Sequence, residues 1–169
     1  MLRRVAAADR ALGRSVRAAI RTRAPGAADA LGVAGRLLSP AFRGLVVLLL
    51  LDPRRRREGS TALLATVTAA TIARHTRTRI DRRRPGDRVE GGFPSRHAAA
   101  AVALVSAVGG TRTPLGRTAA AAATVGLLGR VVRADHDPAD IAAGALLGMC
   151  VGGGMRRFLL LLERVPSRR

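Results

Sequence analysis

The chain has 169 residues, 30 of them basic against 11 acidic, and a formal charge of +19 at pH 7. Every basic residue is arginine, and 48% of the chain is hydrophobic, yet Trp and Tyr are absent and only Phe42, Phe93 and Phe158 are aromatic. That length fits one domain; the lack of stacking rings and the long Leu/Val/Ala runs argue against a nucleic-acid binder in spite of the charge.

Residues 1–30 interleave Arg3, Arg4, Arg10, Arg14, Arg17 and Arg21 with Ala, Leu, Val and Ile. The pattern predicts an amphipathic helix ended by Pro25-Gly26. It fits a helix on an anionic membrane surface and equally a solvated one. The first residues never form the apolar core of a secretory signal.

Five apolar stretches follow: Leu31–Leu51, Gly59–Ala73, Ala98–Thr111, Thr118–Gly129 and Ile141–Met155, the last extended by Phe158–Leu162. None has an uncharged core of the roughly 20 residues a spanning helix needs, but flanking arginines can snorkel and lengthen a span. Five such stretches in series, divided by Arg- and Pro-rich breaks, predict an all-α transmembrane bundle of about five spans in residues 31–165, preceded by the amphipathic segment. Abundant Ala and Gly suit close helix packing in lipid. Cys150, the lone cysteine, lies in an apolar stretch and reads as a small packing residue.

Three polar clusters stand at the ends of these stretches: Arg77-x6-Arg84-Pro85, Pro94-Ser95-Arg96-His97 and Arg130-x5-His136-x3-Asp140. If all five stretches cross, the loops carrying them share one face, together with the N-terminal helix. Asp137-Pro138 reads as a helix start, with Asp137 at the N-cap and Pro138 at the first helical position. Asp140 then falls in the first turn, where it can accept a hydrogen bond from His136 and leave the other ring nitrogen free to attack. Ser95 can cap the following helix, whose N-terminus favours an anion. His97 at the same mouth can protonate a leaving oxygen. Arg77, Arg84 and Arg130 can hold phosphate oxygens in bidentate fashion. Singly, each cluster is also an ordinary helix cap with a surface histidine or solvated arginines. No His/Cys/Glu set has zinc spacing.

In this order and at these spacings, over about residues 77–144, the clusters resemble the type 2 phosphatidic acid phosphatase superfamily, which includes lipid phosphate phosphatases and, more distantly, vanadium haloperoxidases. The family pattern is Lys-x6-Arg-Pro, Pro-Ser-Gly-His and Ser-Arg-x5-His-x3-Asp. Here Arg77 stands for the lysine, Arg96 for the glycine and Gly129 for the serine; Arg84, Pro85, Pro94, Ser95, His97, Arg130, His136 and Asp140 match. The resemblance implies a small bacterial membrane phosphatase without a cofactor or metal. His136 would form a phosphohistidine, Asp140 would orient it and His97 would be the proton donor. Arg77, Arg84, Ser95, Arg130 and the Arg96 backbone N–H would bind phosphate. A neutral and a protonated histidine predict a bell-shaped pH profile. The partners this implies are a lipid phosphate (polyprenyl phosphate type or phosphatidate), reached from a multi-pass position in the cell membrane, with no nucleic acid; a homo-oligomer is compatible with it. The alternatives are a catalytically degenerate relative that binds anionic lipid and, further off, a basic nucleic-acid binder.

Overall fold

The structure, a computed structural model, describes residues 2–80, 82, 85 and 91–164, with side chains from residue 6 to residue 162 within them. Its elements are helices α1 (Leu2–Arg23), α2 (Pro25–Leu51), α3 (Arg56–Arg79), α4 (Arg96–Ala107), α5 (Pro114–Val132) and α6 (Pro138–Arg164), with a 3-10 turn at Gly110–Arg112. No strand occurs among the described residues.

The helix starts follow from local chemistry. Pro25 and Pro114 occupy first-turn positions, where a missing N–H is harmless. Ser95 caps α4 by accepting the Ala98 N–H, and Thr113 caps α5 by accepting the Gly116 N–H at 3.0 Å. α2 runs unbroken through Pro40, and α3 takes in the flanking arginines that sequence hydropathy placed outside it.

α4 is the centre. It packs against α3, α5 and α6 and more lightly against α2, and those four join in the order α6–α3–α2–α5 around it. Alanine makes this arrangement accessible: Ala98, Ala99 and Ala103 on α4 and Ala62, Ala65, Ala69 and Ala73 on α3 are wholly buried. On α6, Gly144, Gly148 and Gly152 form one ridge, spaced every four residues. A Cβ at Gly148 would stand 2.5 Å from the Ala99 carbonyl oxygen, and one at Gly144 or Gly152 would overlap the carbonyl of Ser95 or Ala103. Gly35 and Gly129 allow the same approach between α2 and α5.

The outside is apolar. Leu37, Leu48, Leu64, Val67, Leu146 and Leu161 are all more than half exposed, a surface unlike that of a soluble monomer. Within the described residues, Pro25–Leu51 and Pro138–Leu162 are long and apolar enough to cross a membrane. Cys150 belongs to this outer surface: it is exposed and is not the packing residue its neighbourhood suggested, because the ridge facing α4 is held by glycines on either side of it in the helical repeat.

Candidate functional site

The described residues of the three clusters meet at one end of the bundle, where α3 ends, α4 and α6 begin and α5 ends. Two hydrogen bonds to backbone carbonyls hold it together. The Ser95 N–H donates to the Asp140 carbonyl at 2.8 Å, tying the start of α4 to the first turn of α6. The Arg77 guanidinium donates to the Gly91 carbonyl, at 2.8 Å from Nε, tying the end of α3 to the approach to α4.

His136 and Asp140 are buried, at 0% and 1% exposure. Nδ1 of His136 faces Asp140 Oδ2 at 3.6 Å. That is ion-pair distance, not the expected hydrogen bond; the same oxygen accepts the Asp137 N–H at 3.1 Å. Neither ring nitrogen of His136 has a hydrogen-bond partner among the described residues. The His97 ring stands edge-on to it, centroids 6.2 Å apart, so both imidazoles border the same point of the site. Ser95 is fully buried with its hydroxyl engaged as the α4 cap, while Arg96 is exposed, so its side chain does not crowd the pocket where the family has glycine. Arg130 pairs with buried Asp135 at 3.4 Å, and Asp135 also meets Arg133 at 3.2 Å. The connecting loop turns at Ala134 with φ 57°, a left-handed conformation that a non-glycine residue adopts at a cost. Arg84 lies outside the described residues. His75 is exposed on α3, its Nδ1 2.9 Å from the Thr71 carbonyl.

Two participants escaped the sequence reading. Arg82 reaches Asp140 Oδ1 at 3.5 Å through Nε and Asp137 Oδ2 at 3.6 Å, and its guanidinium lies 5.7 Å from the Phe93 ring centroid. It also pairs with Asp9 of α1. The other oxygen of Asp9 accepts the Ala139 N–H at 2.9 Å, at the positive end of α6. α1 thus docks across the site: Gly13 abuts Asp137, Arg17 stands 3.9 Å from the Asp137 carboxylate, and Arg21 donates to the Val132 carbonyl at the end of α5 at 3.2 Å. The inward stripe of this helix mixes Asp9 and Arg17 with Gly13, Val16 and Ile20, and Leu12 is exposed. Asp9 is the single acid in α1, which was the available signal; Arg82 was hidden in a run of arginines.

Asp137 is fully buried. Burial first, then the Asp140 and Asp9 carboxylates, raise its pKa above the ordinary carboxylate value, against the opposing pull of Arg82 and Arg17. Among the described residues no group of three or more His, Cys, Asp or Glu could hold a metal ion.

Comparison with known proteins bears on the family and the fold. The model of the PAP2 superfamily matches residues 68–163. A solved structure, that of the first transmembrane PAP2 type phosphatidylglycerolphosphate phosphatase from Bacillus subtilis, superposes with a TM-score of 0.75 at 19% identity, covering 98% of this chain and 89% of that one. No curated protein matches.

Proposed function

Since the chain belongs to the PAP2 superfamily, we propose that it is a multi-pass membrane phosphatase that hydrolyses a lipid phosphomonoester or diphosphate through a phosphohistidine. The observation that carries this is His136: a fully buried imidazole with Asp140 on one side, a second imidazole edge-on to it, and Arg82 on the other oxygen of Asp140. The free His136 nitrogen attacks phosphorus, forming an N–P bond as the P–O bond to the lipid breaks. Asp140 stabilises the resulting imidazolium, and protonated His97 gives its proton to the departing oxygen. Water then attacks the phosphohistidine, losing its proton to neutral His97, and releases phosphate with His136 restored. Arg77, Arg84, Arg130 and the N–H groups at the start of α4, including that of Arg96, hold the phosphate oxygens as their charge redistributes. Ser95 fixes that helix end. Histidine supplies the nucleophile and arginine the cationic field, so the proposed reaction uses no metal.

The test is phosphate release by detergent-purified protein from a polyprenyl phosphate, a polyprenyl diphosphate, phosphatidate and phosphatidylglycerophosphate, with and without EDTA. Turnover should survive EDTA. His136→Ala should lose at least ~10³-fold, and His97→Ala about 10²–10⁴-fold. Equal release by wild type and His136→Ala would leave the chain as a noncatalytic binder of anionic lipid.

A further inference from the structure

The ring of helices around α4 is open on one side. α6 meets α3, α3 meets α2 and α2 meets α5, but α5 and α6 barely touch each other although one short loop joins them. Between them lies an apolar groove of about 500 Å³. Val102 and Val105 of α4 form its floor, and Thr124 of α5 and Ala142 of α6 stand on opposite walls. At its upper end are Val131 and Pro138, the residues that bracket the loop bearing His136. Thr124 and Ala142 are exposed, so the groove opens sideways along the bundle.

We propose that this groove is the binding site for the hydrocarbon tail of the substrate, and that it takes a single chain. The proposal rests on the phosphatase reading above and names its substrate class: a phosphate ester of one long apolar alcohol, in preference to a two-chain glycerolipid. A tail lying between α5 and α6 brings its phosphate to the loop where the two helices join, beside His136. The volume matches one chain. With a methylene taken as about the size of a water molecule, ~30 Å³, the groove holds roughly sixteen of them, one chain's worth. The walls are apolar, so they select for length without selecting for headgroup.

Two measurements test this. In mixed micelles at fixed mole fraction, kcat/KM is compared for butyl, dodecyl and hexadecyl phosphate and for phosphatidate. In the wild type, hexadecyl phosphate should exceed both butyl phosphate and phosphatidate by about tenfold or more, as expected if buried methylenes contribute to transition-state binding. Thr124→Phe and Ala142→Phe, from opposite walls, should each lower the hexadecyl-to-butyl ratio about tenfold. An unchanged ratio in both variants, or phosphatidate turned over as well as hexadecyl phosphate, overturns the proposal. The second measurement needs no turnover: hexadecyl phosphate carrying a mid-chain diazirine is photolysed on the wild-type protein and the label mapped. Label on α5 and α6, displaced by unlabelled hexadecyl phosphate and much less by phosphatidylcholine, supports the groove even if no phosphate is ever released, in which case the phosphatase reading alone fails. Label elsewhere, or label displaced equally by phosphatidylcholine, marks annular lipid only and overturns it.

Discussion

Asp137 shows how the site stores charge. Its carboxylate is buried with no hydrogen bond among the described residues, facing two acids and two arginines. Because its folded pKa is raised above its ordinary 3.8, the folded chain keeps this proton to higher pH than the unfolded chain does. Between those two values the native state binds more protons, so stability falls as pH rises through that window. Asp137→Asn keeps the shape and cannot ionise. At neutral pH it should melt no lower than wild type, and its advantage should shrink as the pH is taken down towards the ordinary carboxylate range; thermal melts in detergent across that span check both statements. Asp9 works in the opposite sense, since its two oxygens hold Arg82 and the first turn of α6. Asp9→Ala removes both links and should cost about 1.5–3 kcal/mol. It should also make the α1–α2 junction at Ala24 more sensitive to protease and lower turnover by releasing Arg82 from Asp140; a variant as stable and protease-resistant as wild type would show α1 is not held by this pair.

At the scale of helices, the positions that matter are those without side chains. The Gly144 ridge lets the α6 backbone approach α4 at the point where Ser95 begins that helix. Gly144→Ala would drive a methyl into the Ser95 carbonyl and to 2.9 Å from Ala98 Cβ, so α4 must move away from α6. The expected costs are about 1–3 kcal/mol and, because the shift separates His97 from His136, of order 10²-fold in turnover. Gly153→Ala, where a Cβ meets nothing within 4 Å, should instead raise stability by about 0.5–1 kcal/mol through helix propensity; the two melting temperatures and activities are read side by side. This level was partly legible in the sequence. Abundant Ala and Gly announced close packing, and Ser95 and Asp137-Pro138 announced helix starts, whereas Pro25, read as ending α1, begins α2. Hydropathy could not place the ends of α2 and α3, because arginines next to an apolar run continue a helix as readily as they stop it. Nor could periodicity show that α1 turns Asp9 and Arg17 inward, since Asp9 finds Arg82 across 73 positions of sequence and only the folded chain brings them together.

For the whole molecule, the arrangement is a ring of helices around a short alanine-rich centre, polar at one end and apolar around its sides. Lipid is the medium in which that surface is stable: exposed leucines along α2, α3 and α6 would associate in water, while arginines at helix ends can reach the headgroups. Cys150 offers a probe of this. It is the only cysteine, it is exposed on α6, and it lies twelve residues into a helix starting at Pro138, about 18 Å along the axis at the usual rise per residue. In a hydrocarbon layer about 30 Å thick that depth is near the middle, where a charged reagent does not enter. A charged maleimide added to proteoliposomes, sealed or permeabilised, should therefore leave Cys150 unlabelled, and SDS should make it react at once. Labelling in permeabilised vesicles as fast as in SDS would put this face of α6 in water. That outcome would return the charge of +19 to its other reading, a soluble basic protein, and take the lipid groove between α5 and α6 down with the membrane span.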